Sequence, residues 1–240
     1  ALAIDGNEPA AYNNLASTLN ELRRYDEAMR RKMDDYAVGS VRYFTPFFAR
    51  QGLPLINDKL AFVVLKKEHR LQIYAQHKGR WHFITWFKVV KMSGVSGPKL
   101  KEGDLQVPEG IYKVIYFNPL SNNFLSMKIN YPNRYDRKKA ALTGRTNLGG
   151  EIFIHGNDRS VGCVAIGDKA VSLLFPLTVL YSLANGPRND ISVIITPYDF
   201  RLKAVHLSKN AVPWEKDLYS MISQRLSEFP LPSFRQRLLG

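Results

Sequence analysis

The chain has 240 residues, of which 45% are hydrophobic and 23% are charged, which is enough apolar material for a sizeable core. Its formal net charge of +13 favours a polyanionic partner such as nucleic acid, anionic lipid or an acidic wall polymer, or else serves solubility. A single cysteine, Cys163, excludes an intrachain disulfide and a cysteine-based zinc site. No apolar run approaches the roughly 18 residues of a spanning helix. The chain starts at Ala1 without a leader pattern, so we expect a mature or trimmed chain.

Residues 1–54 are predicted to form a helical N-terminal segment. Apolar side chains recur there at the spacing of one helical face, at Leu15, Leu19, Leu22, Met29 and Met33. The stretch 11–28 resembles one tetratricopeptide unit, but the match fails beyond it, and one unit cannot bury its own apolar face. We therefore expect a helical hairpin packed on the main domain, and a site there for a protein partner, rather than a repeat array.

Short strand patterns follow, separated by glycine, asparagine and proline, at 60–65, 71–75, 81–91, 111–117, 124–129, 151–154 and 191–196. They predict a mainly β domain over 55–200, with a β-sandwich or barrel-like core. A helical insertion interrupts the series, with Asp168 as the predicted N-cap and Pro176 opening a second helix that reaches Asn185. A last helix is predicted over 214–228, in a C-terminal extension (201–240) that packs on the domain.

The segment 152–168, IFIHGNDRSVGCVAIGD, carries the residues suited to chemistry. A strand delivers His155 at its end, and Cys163 follows eight residues later. A thiol attacks a carbonyl only as thiolate, so it needs a base within hydrogen-bond reach. Gly162 leaves room for a substrate carbonyl, and the backbone N–H groups of Gly162 and Cys163 are the candidate oxyanion donors. From the spacing alone, an inert thiol and a satisfied core histidine remain open alternatives.

These residues resemble the YkuD-type L,D-transpeptidases, which carry His-Gly on a strand and then Ser-x-Gly-Cys. The chain has His155-Gly156 and Ser160-Val161-Gly162-Cys163, and its short loop resembles the YafK-like branch. The likeness covers roughly 55–200 and includes further segments at 97–99, 102–104, 108–112, 118–119, 131–133, 135–136, 144–146 and 149–150. The resemblance implies a YkuD-like β-sandwich catalytic domain with inserted helices, flanked by the helical N-terminal segment and a C-terminal helix.

The resemblance also implies a function. Cys163 would attack the carbonyl at the L-centre of diaminopimelate in a peptidoglycan stem peptide, with His155 as general base. Water would resolve the acyl-thioester in an amidase or carboxypeptidase that releases a wall-attached lipoprotein, and an amine would resolve it in a 3-3 cross-linking transpeptidase. Such enzymes serve cell wall biogenesis and cell shape in the periplasm or cell envelope. They need no cofactor or metal, and no nucleic acid partner is expected.

Two departures from the commoner family motif stand at Val161 and Ala165, where histidine and arginine are usual. No acidic residue is an obvious third member of the site, so a backbone carbonyl is the candidate to orient His155, with Asp158 solvated on the loop. The predicted substrate-binding residues are Arg145, Ser160, Asn157 and Tyr131, followed by Lys99 and Lys101. The alternative functions are a non-catalytic wall-binding or adaptor module and, less favoured, a basic nucleic-acid binder.

Overall fold

The computed structural model describes residues 9–186, 191–233 and 236. In this part of the chain the elements are α1 (Pro9–Ala49), β1 (Lys59–Leu65), β2 (Arg70–His77), β3 (Arg80–Lys88), β4 (Gly110–Asn118), β5 (Ser126–Ile129), α2 (Arg134–Leu142), β6 (Phe153–His155), β7 (Val164–Ala165), α3 (Asp168–Asn185), β8 (Ser192–Thr196) and α4 (Glu215–Leu226). The strands lie in one sheet of order β3-β2-β1-β8-β4-β5-β6-β7. The pairs β1–β8 and β6–β7 are parallel, and the other neighbours are antiparallel. A YkuD-like sheet domain with a helix on either side of it in the chain confirms the predicted fold class.

The two faces of the sheet bury separate apolar clusters. Because successive strand residues point to opposite faces, Phe62 and Val64 of β1 join one cluster, while Ala61 and Val63 join the other. The first cluster is covered by α1 and α3, and the second by α4. The helix α4 packs on the β3-β2-β1-β8 side of its face, as the members of the second cluster show, and it does not cover the β5-β6-β7 side.

The predicted N-terminal hairpin is wrong, because α1 is one continuous helix of 41 residues. No glycine or proline occurs between residues 10 and 38, so the sequence offers no residue that would favour a turn. The C-terminal part of α1 packs on the domain through Phe44 and Phe48, and the Ser40 hydroxyl donates to the carbonyl of Leu173 at 2.7 Å. Residues 1–8 of the predicted segment, and 234–235 and 237–240 of the predicted extension, lie outside the described residues.

The predicted break at Pro176 is also wrong, since α3 runs through it as one helix. Proline removes one helical hydrogen bond, at a cost of about 3 kcal/mol in an exposed helix. Here every residue from Leu174 to Val179 is buried, and this packing outweighs the lost bond. The N-cap is Gly167 and not Asp168, whose carboxylate instead accepts a hydrogen bond from the backbone N–H of Asn157 at 2.7 Å.

Two elements were not predicted from the sequence. The helix α2 begins with a capping box, in which the Asn133 side chain accepts from the N–H of Asp136 and the Asp136 carboxylate accepts from the N–H of Asn133. The strand β7 has only two residues and no pattern of its own. Among the described residues, no helix combines the length and apolar character that a membrane crossing requires.

A buried charge cluster ties α4 to the sheet. The Glu109 carboxylate, which is fully buried, accepts hydrogen bonds from the Lys66 ammonium at 2.8 Å, the Gly97 N–H at 2.9 Å and the Tyr219 hydroxyl at 2.8 Å. Lys66 also donates to the carbonyl of Val95 at 2.6 Å. The residue that follows β1, a residue of α4 and the 93–109 loop therefore share one buried anion, which fixes their relative positions.

Candidate active site

The pairing of β6 with β7 positions the two candidate catalytic side chains. Ile154 pairs with Val164 and His155 with Ala165, in parallel. Extending this register by one residue sets Cys163 beside Phe153. Because side chains alternate along a strand, His155 and Cys163 project from the same face, one strand apart and two residues apart in register. It is the face that α4 leaves uncovered.

The imidazole of His155 is oriented by the backbone that follows it. Its Nδ1 lies 2.5 Å from the carbonyl oxygen of Gly156, and the residue is only 2% exposed. A carbonyl can only accept, so Nδ1 carries the proton and Nε2 carries the lone pair of a base. Burial lowers the pKa of His155, and the Gly156 carbonyl opposes this to a smaller extent. The ring is therefore neutral near pH 7.

The thiol of Cys163 is half-buried and also protonated at rest. Burial raises its pKa, the backbone N–H of Phe153 and the Lys99 ammonium lower it, and the Glu151 carboxylate raises it. The sulfur donates to the carbonyl oxygen of Glu151 at 3.5 Å. Within residues 9–186 and 191–233, no hydrogen bond joins this thiol to the His155 ring. The candidate site thus holds a neutral thiol and a neutral imidazole on the same face of the sheet.

Hydrogen bonds of the Ser160 hydroxyl hold the loop before Cys163 in place. Ser160 donates to the carbonyl of Cys163 at 2.7 Å, and the Ser93 N–H donates to the Ser160 oxygen at 3.2 Å. Gly162 has φ +122°, a conformation that favours glycine, and a Cβ there would stand 3.4 Å from the Gln106 carbonyl. Ser160, a predicted substrate-binding residue, lies on the loop that leads to Cys163, and its hydroxyl is committed to the backbone of that loop.

Asn157 and Tyr131 are engaged elsewhere. The Asn157 amide donates to the Asn123 side chain at 2.9 Å and accepts from the Arg159 N–H at 2.8 Å, so its polar atoms hold the turn after β6. Tyr131 is 4% exposed, and its hydroxyl donates to the carbonyl of Leu148 at 3.1 Å. Of the predicted substrate-binding residues, the structure brings Ser160 and Asn157 to the loop and puts Tyr131 in the interior.

Arg145 lines a cavity that does not include Cys163. Its Nη1 donates to the carbonyl of Leu100 at 2.9 Å, and its guanidinium stands 5.4 Å from the Trp214 ring. The Nη2 atom is buried and has no hydrogen-bond partner among the described residues. Arg145 and Lys101 line a cavity of about 500 Å³ beside the 95–106 loop. This arrangement leaves one buried guanidinium nitrogen without a hydrogen-bond partner among the described residues.

Sequence reasoning missed two residues that shape the site. Gln106 is buried and holds the 95–97 turn, since its amide donates to the carbonyls of Val95 and Gly97 at 2.5 and 2.6 Å. Glu151 has φ +51° and supplies the carbonyl that the thiol contacts. Neither residue carries a local pattern, because each acts through backbone groups that only the folded chain brings together.

Three comparisons identify relatives of this chain. The family model for the YkuD L,D-transpeptidase catalytic domain matches residues 59–186. The protein named "Putative L,D-transpeptidase YafK" in Escherichia coli (strain K12) is 25% identical over 187 residues, which are 77% of this chain and 72% of the relative.

Two solved structures of the helical cell shape determining protein Pgp2 from Campylobacter jejuni are also similar, each with 17% identity and a TM-score of 0.47. The match to the structure without a substitution covers 72% of this chain and 71% of the Pgp2 chain. The match to a single-substitution mutant covers 71% of this chain and only 55% of the mutant chain, so this chain spans about half of that protein's length. The family model matches more than half of the sequence, including the whole segment from the His155 strand to Cys163, and this confirms the resemblance drawn from the motif. The chain therefore belongs to the YkuD family of L,D-transpeptidase catalytic domains.

Proposed function

We propose that this chain is a cysteine-dependent enzyme of the cell envelope that cleaves peptidoglycan stem peptides at the L-centre of diaminopimelate. Cys163 transfers its proton to Nε2 of His155 as the sulfur attacks the carbonyl carbon. The C–N bond then breaks, His155 returns the proton to the leaving amine, and an acyl-thioester remains. Water resolves the thioester by hydrolysis, and an acceptor amine resolves it by transpeptidation.

One observation carries this proposal: His155 and Cys163 project from the same face of the sheet on adjacent strands, and a carbonyl fixes the ring in the tautomer that leaves Nε2 as a base. Oxyanion donors are expected at the N–H groups of Gly162 and Cys163, on a loop that Ser160 holds in place, and the Gly162 N–H must leave its long 3.4 Å hydrogen bond to the Ser160 hydroxyl to serve in this way. The neighbouring Lys99 ammonium favours the thiolate once it forms. It is held near the site by Asp104 at 2.6 Å.

The leaving group separates the possible reactions. A terminal D-amino acid as leaving group makes the enzyme a carboxypeptidase, and a wall-attached lipoprotein makes it an amidase. We propose hydrolysis as the main outcome, because the resemblance is to the YafK-like branch, which is associated with release of a wall-attached lipoprotein. Function in cell wall maintenance, and through it in cell shape, follows from either cleavage.

The products of one incubation test the proposal. The chain is incubated with disaccharide-tetrapeptide and, separately, with wall that bears attached lipoprotein, and the products are identified by mass spectrometry. Tripeptide without dimers indicates carboxypeptidation, released lipoprotein indicates amidase activity, and dimers indicate transpeptidation. If none of these products forms, the chain is instead a non-catalytic wall-binding or adaptor module, which the absence of a resting His155–Cys163 hydrogen bond favours.

The pH dependence of turnover is a second test. Because burial lowers the pKa of His155, the ring stays a neutral base below its ordinary value of 6.5. We expect kcat/KM to hold down to pH 6.5 and to fall on the acid side with a midpoint below it, as the imidazole takes a proton. The measurement is kcat/KM for tetrapeptide cleavage from pH 4.5 to 8. A midpoint above pH 6.5 would contradict the proposed role of a desolvated imidazole.

A further inference from the structure

A cavity lined with basic side chains lies on the face of the sheet that α4 covers, between α2 and α4. Its volume is about 750 Å³, and we name it the basic groove. The side chains that matter are Lys59, Lys113, Arg134, Lys138, Arg225 and Asn130. Five of these are cationic, and no acidic residue is among the described residues that line the groove. A cavity of this size with one sign of charge raises the local concentration of anions.

Three carboxylates on α2, on α4 and after α4 are engaged. Glu228 pairs with Arg225 of the groove and partly offsets its charge, Asp217 pairs with Lys139 at 3.2 Å, and Asp136 is held in the capping box of α2. Arg134 and Lys138 stand one turn apart on α2, where like charges repel across the same helix face. A bound anion would relieve this repulsion.

The walls of the basic groove are braced on both sides. The Tyr135 and Trp214 rings meet edge to face with centroids 6.2 Å apart, and these residues join α2 to the start of α4. The Asn133 side chain donates to the carbonyl of Ile111 at 3.0 Å and so joins α2 to β4. The groove is therefore formed before any ligand arrives, and the ligand does not bear the entropic cost of ordering it.

The strand β5 connects the basic groove with the candidate active site. Ser126 pairs with His155 and Lys128 with Phe153, so both point to the face that carries Cys163. Asn130 continues the same alternation and lines the groove. Four residues of strand span about 13 Å, at about 3.3 Å each. An extended polymer that reaches Cys163 is therefore long enough to reach the groove.

We propose that the basic groove binds carboxylates of the peptidoglycan polymer, on a stem peptide other than the one at Cys163. The inference deepens the proposed function and rests on it for the substrate class. Stem peptides carry several free carboxylates, which suit arginine and lysine as partners. A concave site of this volume admits a short peptide, whereas a nucleic acid duplex or a bilayer surface would contact only its rim. The groove thus gives the enzyme a preference for polymeric wall over single fragments.

Binding to purified sacculi tests the proposal, with every variant carrying Cys163→Ala so that no turnover occurs. We expect Arg134→Gln/Lys138→Gln to weaken sacculus binding at least about tenfold, since two charge-assisted contacts are removed. The matched control is Lys67→Gln/Lys216→Gln, which removes the same charge from two exposed positions, one after β1 and one in the first turn of α4, that do not line the groove. We expect the control to bind within about twofold of the parent. Sacculi with chemically amidated carboxylates should bind the parent and the Arg134→Gln/Lys138→Gln variant alike.

Equal weakening by the two double variants would overturn the proposal, because bulk charge would then explain binding. So would a loss that appears with duplex DNA or phosphatidylglycerol vesicles but not with sacculi. The measurement does not depend on the thiol. If the parent chain, with Cys163 intact, does not cleave stem peptides, the proposed function is rejected but the binding result still stands. If the basic groove does not bind sacculi, the groove proposal is rejected but the proposed function still stands.

Discussion

Replacing Cys163 by alanine is expected to lower kcat/KM for stem-peptide cleavage by on the order of 10⁴-fold. Without the sulfur no acyl-thioester forms, and binding with oxyanion stabilisation alone remains. The thiol is half-buried and its hydrogen bond to the Glu151 carbonyl is long at 3.5 Å, so the fold should tolerate alanine. Product formation by mass spectrometry measures the loss, and thermal unfolding verifies that the variant is folded.

A matched control for this prediction exists on the same loop. Asp158 is exposed, and Asp158→Ala is expected to keep kcat/KM within about threefold. If Cys163→Ala retains activity within tenfold of the parent, the thiol is not the nucleophile and the enzymatic proposal fails. If Asp158→Ala is as inactive as Cys163→Ala, the orientation of His155 by a carbonyl is not sufficient, and the loop carboxylate has a part in the site.

Replacing Glu109 by leucine is expected to destabilise the folded chain by about 3–5 kcal/mol, because a buried ammonium then loses its counter-charge. The side chain of Lys66 is only 8% exposed, and burial already lowers its pKa against the opposing effect of Glu109. The variant also removes the acceptor of the Tyr219 hydroxyl. Urea unfolding gives the free energy, and its midpoint shifts to lower denaturant.

The double variant Lys66→Met/Glu109→Leu separates the effect of leaving Lys66 without a counter-charge from the effect of losing the other hydrogen bonds to Glu109. It removes both charges, so we expect it to recover most of the loss shown by Glu109→Leu. The exposed pair Lys139–Asp217 serves as a control, since Asp217→Asn should cost no more than about 1 kcal/mol. A loss below 1 kcal/mol for Glu109→Leu would mean that water reaches Lys66 and that the cluster does not hold α4 on the sheet.

The sequence predicted the strands better than the helices. The strand patterns lie within a few residues of the observed bounds, because β-branched and aromatic residues mark a buried sheet. His155 and Cys163 were identified from glycine-flanked motif residues. In contrast, the hairpin predicted for the N-terminal segment rests on a repeat-like pattern that contains no turn residue, and α1 is one helix. The predicted break at Pro176 rests on local propensity, whereas the burial of the surrounding residues keeps α3 continuous.

The remaining parts of the site depend on contacts distant in sequence. The Ser93–Ser160 contact spans 67 residues, and the Lys66–Glu109 pair spans 43. The Gln106 side-chain amide fixes the 95–97 turn by donating to the backbone carbonyls of Val95 and Gly97. No periodicity or motif records such pairings. The α2 helix is the exception, since Asn133 and Asp136 have the spacing of a capping box and could have predicted its start.

The carbonyl that orients His155 has a consequence for the timing of proton movement. A carbonyl, unlike a carboxylate, brings no negative charge to offset an imidazolium, and the desolvated ring gives up its extra proton readily. The lowered pKa makes the neutral imidazole a weaker base while the sulfur attacks. It also makes the imidazolium a stronger acid while the amine leaves. In the proposed reaction the imidazolium is therefore short-lived, and collapse toward the thioester is the step that this environment accelerates most.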